Sequence, residues 1–204
     1  MTGTQDTLAA RSPVEGALAV VREEPGLVAM TLAAVAGLAI SIYLTTVHYM
    51  GAPLVCTNSG AINCSAVTTS KYSVVPATNL PITIPGMLWF VVSGGLAAYA
   101  LVAQRRQRPE SERLRLFQLL WGAAGMAFVL YLVYAEIVLI HNICEWCTVI
   151  HLLTLVTFLV ALYRFQQARL LSLPPPRSRA SAVAARTHGP PRSRPPQRPR
   201  GRRH

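Results

Sequence analysis

The sequence predicts an all-α protein that crosses a membrane four times. Three observations carry that reading. The chain of 204 residues is 52% hydrophobic and only 13% charged, with a mean hydropathy of +0.38. Its apolar residues are gathered into four long runs instead of being spread over core positions. Its charge is segregated: eleven of the nineteen basic residues lie between Arg164 and His204, where there is no Asp or Glu, so residues 1–163 are neutral and the tail carries the whole +11. This distribution excludes an evenly basic nucleic-acid-binding domain and a soluble enzyme built on one large core.

A bilayer core asks for roughly 20 apolar residues per helix. The first run covers 27–50. Its upstream segment carries Glu15, Glu23 and Glu24 beside only Arg11 and Arg22, and no cleavage-site pattern follows, so it reads as a retained span and not a signal peptide. The second covers about 83–103, with Pro85 in its first turn, where a missing N–H costs nothing. Arg105, Arg106 and Arg108 stop it, and Arg113 and Arg115 precede the third run, at about 116–140. The fourth, about 147–163, is the shortest. The expected organisation is an N-terminal segment 1–25, a four-helix membrane domain 26–163 and a tail 164–204.

Orientation follows from the basic residues near the spans. Arg105, Arg106, Arg108 and Arg113 lie between spans two and three, and Arg164 and Arg169 follow span four. The loop between spans one and two has only Lys71, and the loop between spans three and four has no basic residue. Both termini and the middle loop are therefore expected in the cytoplasm, with the first and third loops outside. The Pro/Arg/Ser-rich tail has almost no large apolar residue and is expected to be disordered. It either touches anionic lipid headgroups or only fixes topology.

The four cysteines, Cys56, Cys64, Cys144 and Cys147, then all fall on the outer side, where oxidising conditions favour disulfides. Cys56 and Cys64 bracket a polar loop (CTNSGAINC) that reads as mobile. Cys144 and Cys147 form C-E-W-C at the start of span four. Residues three apart on a helix share a face, and a thiolate at a helix N-terminus is favoured by the dipole. Such a pair is a redox motif more often than a staple. Two structural disulfides, or a zinc site completed by His48, His141 or His151, are the alternatives. The sharper reading is an electron relay: an outer pair exchanges with soluble proteins, and a membrane pair passes electrons to a lipid-soluble two-electron acceptor, a quinone.

Residues 26–163 resemble the vitamin K epoxide reductase family, in particular its bacterial, actinobacterial-like, disulfide-forming members. The resemblance rests on SIYLTTVHYMG ahead of Cys56, the spacing from Cys56 to Cys64, Ser70, then Pro81 and Gly86 opening span two, and finally Cys144 and Cys147. It implies a four-transmembrane-helix bundle around one quinone, menaquinone or ubiquinone, capped by a short helix in the first extracytoplasmic loop, near 65–70 with Asn63 as N-cap. Cys147 would donate to the quinone, Cys144 would exchange with the loop pair, Cys64 would attack the Cys144–Cys147 disulfide, and Cys56 would meet the external thiol. Ser70 would organise the cap over the site. With no fused thioredoxin-like domain, the partner would be a separate DsbA-like thiol oxidase. No metal and no nucleic acid are expected.

Epoxide-reducing members carry an asparagine where this chain has Leu80-Pro81-Ile82, and a tyrosine where it has His151. Both departures argue against epoxide chemistry. His151 follows Cys147 by one turn and is expected to face the same quinone, the alternative being a buried neutral histidine. Trp146 is a candidate wall of the quinone pocket or an interfacial tryptophan. Glu136, an acid within span three, is a candidate for proton handling or loop anchoring. The expected activity is that of a thiol–quinone oxidoreductase of the cell membrane that reoxidises the DsbA-like partner. A tetraspan scaffold with structural disulfides, a DsbB-type enzyme and an epoxide reductase proper are its rivals.

Overall fold

The computed structural model describes residues 24–57, 59–106, 108 and 110–172. The N-terminal segment 1–23 and the stretch from 173 on, with the disorder and lipid contact expected of it, lie outside the described residues.

Four long helices are each long and apolar enough to cross a membrane. Helix α1 (Pro25–Met50) starts on a proline and ends where Gly51 turns left-handed, at φ 59°. Helix α2 (Cys64–Thr68) is short and lies in the first loop. The Asn63 side chain caps it, accepting from the Ala66 N–H at 3.0 Å. It ends before the expected residue 70, because the Thr69 N–H closes on Ser65 and the Ser70 hydroxyl donates to the Val67 carbonyl at 2.8 Å. Helix α3 (Thr83–Arg105) follows, then α4 (Glu112–Tyr134), whose N-cap Ser111 accepts from the Leu114 N–H at 3.3 Å. The chain runs on from α4 through a π-helical turn, Ala135–Ile140, that stops at His141 in the left-handed region, φ 57°.

Helix α5 (Glu145–Ser172) starts earlier and runs further than the expected 147–163. Residues 164–172, expected in the tail, are helical. Arg164 is the reason: it is buried in an ion pair and extends the helix instead of ending it. Among the described residues there is no strand, only isolated bridges.

Small residues let the helices approach. Gly94 lies against Ala34 between α1 and α3, which pack along one another, and Gly122 lies against the Phe158 backbone between α4 and α5. A Cβ on Gly37 would overlap the Phe90 ring, and one on Gly125 the Trp89 indole. Inward positions include Ser41, Ser93, Gln118, Thr154 and Thr157, whereas Leu32, Val35, Leu88, Leu120, Leu130 and Leu159 face outward. A water-soluble bundle would place polar side chains at most of those outward positions. The chain is a multi-pass membrane protein.

At the end of the bundle away from the cysteines, Glu110 binds Arg164 at 2.7 Å and Arg115 at 3.0 Å. Gln118 accepts from Arg164 at 3.3 Å and donates to the Leu96 carbonyl. One buried carboxylate thereby joins the α3–α4 loop to α4 and α5.

Candidate functional site

The opposite end collects all four cysteines. Cys64 and Cys144, both fully buried, form one cluster with Val67, and Cys56 and Cys147 pack against it. Cys56 and Cys64 are joined in a disulfide, whereas Cys144 and Cys147 are free thiols.

The loop pair is held more firmly than its polar composition suggests. On either side of Cys56, the Trp146 indole donates to the Val55 carbonyl at 2.8 Å and the Thr57 N–H donates to the Glu145 carboxylate at 3.2 Å. Ahead of Cys64, the Asn63 N–H donates to the Ile143 carbonyl at 3.1 Å and the Ile143 N–H donates to the Ala61 carbonyl at 2.9 Å. The two central residues of C-E-W-C and the residue before the motif thus clamp the loop over the membrane pair. These bonds tie the described residues at the two ends of the loop to the start of α5.

Cys144 sits at the N-cap of α5, and its Sγ accepts from the Cys147 N–H at 3.3 Å. The Cys147 side chain holds the Cys144 thiol below its ordinary value, against the opposing effect of burial, and the backbone N–H groups of Cys147 and Trp146 add to this. Glu136, buried on the π turn, faces the Cys144 backbone and the Cys147 thiol.

Cys147 borders two cavities. The larger, about 300 Å³, is walled by residues of all four long helices: Leu44 of α1, Gly86, Trp89 and Phe90 of α3, Gly125, Phe128 and Val129 of α4, and Cys147, Ile150 and His151 of α5. The smaller, about 70 Å³, lies under the first loop and is bordered by Val67, Ser70, Pro81, Glu136 and Cys147. Leu44, Ile82, Thr83 and Leu132 also border both.

Two sulfur couples, each with one fully buried cysteine, meet at one cluster, and the inner one borders a chamber between helices. The sequence model of the vitamin K epoxide reductase family matches residues 28–162. The chain belongs to the vitamin K epoxide reductase family. No curated protein matches it. Membership makes it a membrane oxidoreductase of the thiol–disulfide kind, in a family whose members generally use a quinone as electron partner.

The residues singled out from the sequence take distinct places in this family member. His151, one turn beyond Cys147, is buried on the wall of the larger cavity. Ser70 borders the smaller one, and its hydroxyl proton is committed to Val67. Trp146 is on the wall of neither cavity; its ring packs on Tyr43 at 5.2 Å and its N–H holds the loop. No local pattern marks Glu145 as a clamp, because its partner Thr57 is 88 residues away in the chain.

The larger cavity fits a flat, uncharged ring system. Its walls are mostly aromatic and aliphatic, with Ser41, Thr83, Thr154, His151 and Cys147 among them, and among the described residues no Lys or Arg borders it. Its volume lies at the lower end of small-molecule sites.

Proposed function

We propose that this protein is a thiol–quinone oxidoreductase of the cytoplasmic membrane that reoxidises a separate DsbA-like thiol oxidase. Its termini face the cytoplasm and its cysteines face outward, in keeping with the arginines flanking the α3–α4 loop. One observation carries the reading: Cys64 and Cys144 share a buried cluster while Cys147 opens onto an apolar cavity.

The electron pair moves by thiol–disulfide exchange. A thiolate of the reduced partner attacks Cys56, and the partner's second thiol resolves the mixed disulfide, leaving the partner oxidised and Cys56 and Cys64 reduced. The Cys64 thiolate attacks Cys144 of the Cys144–Cys147 disulfide, and Cys147 leaves as a thiolate. Cys56 then attacks Cys64, restoring the loop disulfide and releasing Cys144. Loop cysteines joined and membrane cysteines free is the pairing this step would leave, and the described pairing agrees with it. A menaquinone or ubiquinone accepts the two electrons and two protons as Cys144 and Cys147 rejoin. Cys147 faces it, His151 supplies a hydrogen bond or a proton from the next turn, and Glu136 takes the proton of the Cys147 thiol. Ser70 holds the cap, and Trp146 positions the loop.

The test is anaerobic turnover of the purified protein with a reduced DsbA-like partner and menaquinone. Cys147→Ala is expected to abolish quinone reduction. Cys56→Ala is expected to lose oxidation of the partner and keep turnover driven by dithiothreitol. Quinone reduction at the wild-type rate in Cys147→Ala contradicts the assignment.

A further inference from the structure

We propose that Ser41 is a ligand-binding residue: its hydroxyl donates a hydrogen bond to a carbonyl oxygen of the quinone held in the larger cavity. The proposal rests on the reading of that cavity as a quinone site and adds a contact on α1, across from the sulfur couple and His151 on α5.

A serine or threonine inside a helix ordinarily returns its proton to the carbonyl four residues back. Its neighbours on α1 do so: Thr31 donates to Leu27 at 2.9 Å, Thr45 to Ser41 at 2.7 Å and Thr46 to Ile42 at 2.9 Å. The Ser41 hydroxyl has no partner among the described residues, although the side chain is only 1% exposed. An unpaired buried hydroxyl is destabilising, because it gives up water and receives nothing in return. Such groups call for a specific explanation.

Its surroundings supply one. Ser41 borders the larger cavity, and its oxygen faces Gly86 of α3, where an added Cβ would stand 3.8 Å away. The other hydroxyl and indole donors on that wall are already committed. Thr154 donates to Ile150, Trp89 to the Trp121 carbonyl and Trp121 to Ser93. Thr45 donates to Ser41, so in the 2.6 Å contact between Thr45 and Thr83 the proton belongs to Thr83. This leaves Ser41 as the uncommitted hydroxyl. With no Lys or Arg among the described residues of the wall, a carboxylate or phosphate has nothing to balance it. The matching ligand is neutral, mostly apolar and carries an acceptor oxygen, as a quinone does.

The test is a binding titration of the detergent-solubilised protein with both cysteine pairs oxidised, so that no electrons move. The probes are 2-methyl-1,4-naphthoquinone and 2-methylnaphthalene, which has the same ring outline and no carbonyl. Quenching of Trp89 and Trp121, both on the wall, reads occupancy. Ser41→Ala is expected to raise the Kd for the quinone about fivefold to tenfold, as for the loss of one hydrogen bond, and to leave the Kd for the hydrocarbon unchanged. Without ligand, Ser41→Ala is expected to raise the Tm, because it removes an unpaired polar group and installs a better helix former. Equal quinone affinity in wild type and Ser41→Ala overturns the proposal, as does equal weakening of both probes or a lowered Tm without ligand. Failure of the wild-type protein to bind the quinone while it binds the hydrocarbon overturns the quinone reading of the cavity itself.

Discussion

The two ends of the bundle are closed by different chemistry. At the arginine end, Glu110, with a side chain 1% exposed, holds Arg164 and Arg115 directly, and Gln118 relays the contact to the Leu96 carbonyl on α3. At the cysteine end, a loop is tied down by hydrogen bonds around one disulfide, several of them in exposed positions. Charges buried together are hard to separate, since removing one strands the other. Exposed hydrogen bonds contribute little each and can be broken one at a time. The end that carries the disulfide is therefore built from contacts that can open one at a time, and the fold is anchored at the other.

The contrast is broken most severely at Glu110. Glu110→Gln leaves Arg164 buried without its carboxylate and is expected to cost about 3–5 kcal/mol in reversible unfolding, with the Kd for quinone unchanged in whatever protein remains folded. A smaller loss of about 1–3 kcal/mol is expected from Gly37→Ala, whose new Cβ meets the Phe90 ring. Phe90 also walls the larger cavity, so quinone affinity is expected to fall with stability here.

At the cysteine end the expected effects are smaller and kinetic. Trp146→Phe keeps a ring against Tyr43 and loses the bond to Val55. Release of about 1 kcal/mol of loop docking should make the Cys56–Cys64 disulfide about fivefold faster to reduce with dithiothreitol, with Tm nearly unchanged. A large drop in Tm would mean that this end is as structural as the other.

The smallest effect concerns the Cys144 proton. The Cys147 side chain is the largest influence holding this thiol below its ordinary value. In Cys147→Ala the midpoint of the thiolate absorbance at Cys144 should therefore move to higher pH. Part of the depression should survive, since the backbone N–H of residue 147 still points at the sulfur. In the wild type the thiolate, and any stability it lends, is present above the ordinary thiol range and is lost as pH falls through the lower folded-state value.

Much of the fold was legible because lipid imposes it. Each span needs a continuous apolar run, and Pro85 marks the first turn of α3. The Asn63 cap was legible because a cap is local, acting across three residues. The π turn was not, since no residue type in Ala135–Ile140 marks that hydrogen-bond pattern. Arg164 read as the start of a tail because its partner Glu110 lies 54 residues earlier. The clamps made by Glu145 and Trp146 were hidden for the same reason, their partners being 88 and 91 residues away. Ser41 could not be told from Thr45 or Thr46 by sequence, because all three are small hydroxyl residues in one apolar run. Only the missing partner separates it.

The most direct test of the relay keeps one sulfur of each couple. In Cys56→Ala/Cys147→Ala, mild oxidation by diamide is expected to join Cys64 to Cys144 within single molecules, detected as one cross-linked peptide by mass spectrometry. Persistence of both thiols, or links only between molecules, would contradict a direct path from the loop to the membrane couple.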